Sequence, residues 1–225
     1  MTLLIPLGGI LQQQGAAEAD PPDFRSVATA QIDNSETITI GKPAGTVQND
    51  VMICLIGTSS VTATQPTLAG WTEVGSGLSG SSMSGASWCY YRVAGASEGS
   101  DYTFDGLRST DDSSGFIASL TGIDTSTPFD AFGASQGGSP NTTSVTTVVN
   151  NAYIVGLTHS DSSGAQSYSS SSFDAERLDF RFTNKDHIMA MYTEDDAGAA
   201  GLKNRTVAFT GGGAGLWVVS FQPAS

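Results

Sequence analysis

Short runs of apolar or alternating residues, each closed by a cluster of Gly, Ser, Asn or Asp, recur along the chain from residue 26 onward. Thr37-Ile38-Thr39-Ile40 alternates with a period of two, as do Leu178, Phe180 and Phe182 around Asp179 and Arg181; that spacing predicts half-buried strands. Residues 50–57 (DVMICLIG) and 152–158 (AYIVGLT) are apolar at nearly every position, which predicts central strands covered on both faces. The same reading places strands at 26–32, 36–40, 70–74, 87–93, 102–104, 115–121, 129–133, 145–149, 187–192, 205–209 and 216–221. No stretch follows the helical period. Short strands separated by turn signals every 8–12 residues or so predict an all-β fold: an antiparallel β-sandwich of jelly-roll type. No internal repeat is evident, and the serine run 169–172 reads as a loop inside one domain.

The first 23 residues stand outside this pattern. MTLLIPLGGILQQQGAAEADPP opens apolar and uncharged, then passes into an Ala/Pro linker. Pro6 and the Gly8-Gly9 pair break any helix. Ala17-Glu18-Ala19 resembles a signal-peptide cleavage site. The missing basic start, Pro6 and the Gln12-Gln13-Gln14 run argue against that reading, so the segment is expected to stay on the chain. The division expected is an extended anchoring arm and linker over 1–23 and a sandwich domain over 24–225. Leu3, Leu4, Ile5, Leu7, Ile10 and Leu11 are the anchoring candidates, each contributing about 1.5–3 kcal/mol if fully buried on a partner.

Composition supports the fold and narrows the partners. Gly (27) and Ser (30) are abundant, whereas good helix formers are few. A net charge of −13 without any cluster of cations argues against nucleic acid and against an anionic membrane surface as partners. No run of apolar residues approaches the length of a membrane-crossing helix. Cys54 and Cys89 both fall in strand-like runs, where two buried thiols are the first expectation and a disulfide remains open.

Candidate chemistry is thin. Gly95-Ala96-Ser97-Glu98-Gly99 matches the nucleophile-elbow string, but it leads into a strand where the elbow needs a helix. His159 and His187 each lie near an Asp, and catalysis through either requires a nucleophile and an acid assembled around it in a cleft. Asp111-Asp112, Glu194-Asp195-Asp196 and Asp33 with Glu36 lack the alternating pattern of a calcium loop and read as solvated turns. No catalytic residue, metal site or cofactor is therefore expected. Trp71, Trp88 and Trp217 fall in strand-like runs and are expected in the core, whereas one of Tyr90 and Tyr91 is expected at the surface. Tyr168, in a Gly/Ser-rich stretch, is the candidate for a glycan contact.

Several blocks in order, ITIGKPAGTVQNDVMICLI, GWTEV, CYYRVAGASEGSDYTF, GFIASLTGIDTSTPFDA and the closing GLWVVSFQPA, resemble a jelly-roll domain of phage and prophage structural proteins. The resemblance spans about residues 26–223, with residues 161–196 contributing none of the blocks. It implies a non-enzymatic protein of the virion surface: a tail, neck or baseplate appendage, or a capsid decoration protein. It also implies other virion proteins as partners and a homo-trimer as the assembly. The rival reading is a carbohydrate-binding module that recognises a host-surface glycan.

Overall fold

The computed structural model describes residues 20–161, 167–182, 187–195, 197–210 and 212–225. The anchoring candidates Leu3 to Leu11 lie outside the described residues. Sixteen strands and no helix make up the described chain. The first eight are β1 (Asp23–Ile32), β2 (Thr37–Gly41), β3 (Val51–Thr58), β4 (Thr72–Glu73), β5 (Leu78–Gly80), β6 (Gly85–Val93), β7 (Asp101–Asp105) and β8 (Ser113–Thr121). The second eight are β9 (Phe129–Gly137), β10 (Asn141–Thr147), β11 (Tyr153–Asp161), β12 (Tyr168–Ser169), β13 (Ala175–Arg181), β14 (His187–Glu194), β15 (Gly201–Phe209) and β16 (Ala214–Phe221). Every strand pairing is antiparallel. The all-β sandwich expected from the pattern is the fold. The two strands that the pattern missed, β5 and β12, are short and sit in Gly/Ser-rich stretches.

Four layers stack, and strand alternation decides what lies between them. The central sheet of the first half runs β1-β8-β3-β6-β4, with β5 also on β6. Odd residues of β3 (Val51, Ile53, Leu55) and even residues of β8 (Phe116, Ala118, Leu120) face the second half's sheet, β13-β14-β11-β16-β9. There they meet Tyr153, Val155 and Leu157 of β11 and Trp217, Val219 and Phe221 of β16. The opposite parity of β3 (Met52, Cys54, Ile56) packs under the β2–β7 pair, against Ile38, Ile40 and Phe104. In the second half Ile154, Ile188, Leu216 and Val218 pack under β10-β15-β12, against Val145, Val207 and Phe209. Both central sheets are thus sealed on both faces, which is why β3 and β11 read as nearly continuous apolar runs and why β8 and β16 are buried along almost their whole length. Cys54 and Cys89 follow the same parity onto opposite faces of one sheet, so they remain separate buried thiols.

The two halves have one topology. Adding eight to each strand number converts the pairs β1–β8, β8–β3, β3–β6, β5–β6 and β2–β7 into β9–β16, β16–β11, β11–β14, β13–β14 and β10–β15, and all ten pairs are present. Only β4 and β12 depart, since β4 pairs with β6 and β12 with β15. The order β1-β8-β3-β6 opposite β2–β7 is that of a jelly roll, and it occurs twice. Between halves, β3 meets β11, β8 meets β14, and β6 meets β16, so the contact is isologous within a single chain. The sequence shows no evident repeat, yet the strand order repeats, because packing demands apolar parity rather than identity; equivalent residues are shared at few positions. One is the residue two before each central strand: Asn49 (φ 73°) and Asn151 (φ 56°) are both left-handed. Their amides donate to the carbonyls of Ala94 and Gly198, at 2.9 and 2.7 Å.

Equivalent positions also meet across the interface. Gly57 of β3 corresponds to His159 of β11, and a Cβ on Gly57 would lie 2.2 Å from His159 Cδ2. The glycine in one half makes the space that the imidazole of the other half fills. Gly57→Ala is expected to destabilise the protein by about 1–3 kcal/mol, the usual cost of overpacking a core. Urea unfolding measures it, and an unchanged midpoint would show that the imidazole has room to move.

Candidate functional site

The strands run between two chemically different ends. At one end the chain leaves β1 through Asp20-Pro21-Pro22, alongside the 121–126 turn, where a Cβ on Gly122 would fall 2.3 Å from the Pro21 carbonyl oxygen. A groove of about 500 Å³ opens there, lined by Asp20, Arg25, Val47, Asn49, Asp50 and Asp124 among others. Asp50, 2% exposed, organises it. The Arg25 guanidinium donates to both carboxylate oxygens, at 2.7 and 3.1 Å. The Ser119 hydroxyl (2.9 Å) and the Val47 amide (3.0 Å) donate to Oδ2. A buried carboxylate needs this many partners. Together they fasten the start of β1 to β8 and to the turn before β3. Hydrogen bonds from the Ser126 hydroxyl and amide hold the Asp124 carboxyl below its usual range.

At the other end a polar cluster interrupts the core between the halves. His187 Nδ1 lies 3.0 Å from Ser114 Oγ and 3.1 Å from His159 Nε2, while His187 Nε2 lies 4.0 Å from Asp161 Oδ1. The Trp217 indole N–H donates to the Ser87 hydroxyl at 3.2 Å, a second polar link between the halves. Ser114 and His159 are 0% exposed and His187 is 1% exposed. Burial, and secondly the neighbouring His187, push the His159 pKa well below its ordinary value, so His159 is neutral at pH 7.

A serine, a histidine and an aspartate in this order resemble the relay that activates a hydrolytic serine. The residue types that the histidines required are therefore assembled. However, Ser114 projects from the middle layer of a sealed sandwich, and the groove lies at the opposite end of the strands. The cluster can share one proton among Ser114, His187 and His159. With Oγ enclosed, the cluster in this structure is a buried polar contact between the halves.

The other sequence candidates fall as follows. Tyr168, the glycan candidate, is 4% exposed. Its ring packs on Phe209 (centroids 5.8 Å apart), because pairing of β12 with β15 turns it inward to close the outer core. Trp88 and Trp217 are core residues, and Trp71 packs edge-on against Tyr102. Tyr90 and Tyr91 do point to opposite faces, yet both faces are covered. Tyr90 is buried, and Tyr91 stacks on Phe129 of the other half. Ser97 sits on an exposed turn whose Glu98 accepts from the Gly95 amide, the Arg92 guanidinium and the Tyr102 hydroxyl, a structural clamp. Among the acidic clusters, Glu194 pairs with Arg205 and Asp195 lies 3.9 Å from Arg177. Among the described residues, no group of three or more His, Cys, Asp or Glu side chains is placed to hold a metal ion.

Neither Asp50 nor Ser114 was legible as part of a site. Asp50 precedes an apolar run like any turn residue, and Ser114 is one of 30 serines. Searched against family models and curated proteins, the chain matches none.

The histidine cluster carries a pH dependence. Unfolded, His159 titrates near 6.5; folded, it resists protonation. The unfolded chain therefore binds the extra proton as pH falls below about 6.5, and stability is full above that value and declines below it. Between pH 7.5 and pH 5.5 this one group therefore lowers the stability. Asp179 and Asp195, whose carboxyls burial raises, act in the opposite sense, so comparison with a variant isolates the histidine. Urea midpoints are expected to fall between pH 7.5 and 5.5, and to fall less in His159→Gln. Equal falls would remove His159 as the cause.

Proposed function

We propose that this chain is a non-enzymatic structural protein of a phage virion surface, a tail, neck or baseplate appendage or a capsid decoration protein, anchored by its N-terminal arm. The observation that supports the reading is where the described chain begins: Asp20–Pro22 enter the doubly sealed sandwich at one end of its strands, beside the Arg25–Asp50 pair. A body of this kind transmits position without moving. Leu3, Leu4, Ile5, Leu7, Ile10 and Leu11 supply apolar surface for the anchor. The ordered blocks resembling phage structural jelly rolls support the same setting, and the homo-trimer follows from that resemblance alone. The carbohydrate-binding reading has lost its residue, since Tyr168 closes a core.

Particles purified from a host producing this chain test the proposal. Antibody raised against the folded protein is expected to label intact particles. Leu4→Asp with Ile5→Asp, in the full chain, is expected to leave a folded protein that no longer sediments with them. A full chain that never sediments with particles would contradict the proposal.

A further inference from the structure

Sheet edges expose unpaired backbone N–H and C=O groups, and proteins protect them with charge, bulges or a covering segment. The long edges here differ in that protection. On β13, Glu176, Arg177, Asp179 and Arg181 are charged and the register shifts between Glu176 and Leu178. On β9, β10 lies so close that a Cβ on Gly133 would fall 1.9 Å from the Ser144 carbonyl oxygen. On β1, residues 26–32 (SVATAQI) carry no charge, and among the described residues their one strand partner is β8. All of them are part-exposed, except Ile32, which is more so at 36%. That edge is about 23 Å of open, β-prone backbone.

A single segment of this chain matches it. Residues 1–17 carry no charged side chain, and residues 3–11 combine Leu and Ile with helix-breaking Pro6 and Gly8-Gly9. On a body of net charge −13, copies repel one another wherever acidic surfaces meet, so an uncharged strip is the place where two copies can touch. Pro21 and Pro22 hold the exit extended, and Pro21 runs beside Gly122 in continuation of the β1–β8 pairing. Residues 12–22 span at most about 36–40 Å when fully extended, longer than the edge itself. We infer that the open edge of β1 receives residues 3–11 of a second copy, by addition of a strand to the central sheet. The inference rests on the reading of the arm as an anchor and names the surface it grips.

Cross-linking in the full chain tests it. Ile5→Cys is combined in turn with Ser26→Cys, Ala28→Cys and Ala30→Cys. Cys54 and Cys89 are both fully buried, and burial raises their pKa values, which keeps them out of mild oxidation. Equal amounts of isotopically labelled and unlabelled protein are mixed before oxidation, and linked peptides are identified by mass. Peptides joining residue 5 of one chain to β1 of another, in at least one combination, are expected. Links confined to one chain would overturn the inference, placing the arm on its own edge. Unlinked protein with an unchanged circular dichroism spectrum would overturn it as well. A chain that labels particles yet forms no link keeps the anchor and loses this surface. One that links but never sediments with particles does the reverse.

Discussion

Strand alternation, applied to two sheets that must each be sealed on both faces, is the constraint on which this structure depends. A strand shows one parity of side chains to each face, so a residue's number decides which of three cores it enters. Val51, Ile53 and Leu55 enter the core between the halves, whereas Met52, Cys54 and Ile56 enter the core beneath β2 and β7. A slip of one residue would exchange these sets and bring Asp50 into register with the apolar layer between the halves. The Asp50–Arg25 clamp and the left-handed Asn49 fix where β3 begins, and with it the register of everything stacked above and below. Asn151 holds the same place before β11.

The duplicated topology explains how a chain of 225 residues builds four layers from one plan. Each half has a sheet sealed on one face by its own small sheet, and the other half seals the remaining face. Neither half supplies a cover for Phe116, Leu55, Trp217 or Tyr153 by itself. The interface is apolar through its middle and polar at the end where Ser114, His159 and His187 meet. Gly57 opposite His159 shows the halves complementing each other in volume, a glycine in one leaving the space that an imidazole of the other fills.

Much of this was legible beforehand, for a physical reason. Apolar parity and turn residues are local, so the long strands, the antiparallel sandwich and the burial of Trp88 and Trp217 could be read from the chain. What depends on distant partners could not. Tyr168 looks like a loop residue until β15 is known to lie beside it, and Tyr91 looks half-exposed until Phe129 stacks on it. The internal duplication escaped because burial preserves alternation, and alternation is common to every strand here. Ser114 carried no signal beyond its abundance, and only the fold brings it to His187.

The anchored-body account requires the two halves to behave as one rigid unit, since a spacer hinged at its middle cannot hold an outward position. Native-state hydrogen exchange measures that directly. The slowest amides of β3 and β8 and those of β11 and β16 are predicted to exchange with the same free energy, equal to that of global unfolding. Protection that is lost in one half while the other keeps its own would contradict the account, because the shared core would then not be what holds the molecule together.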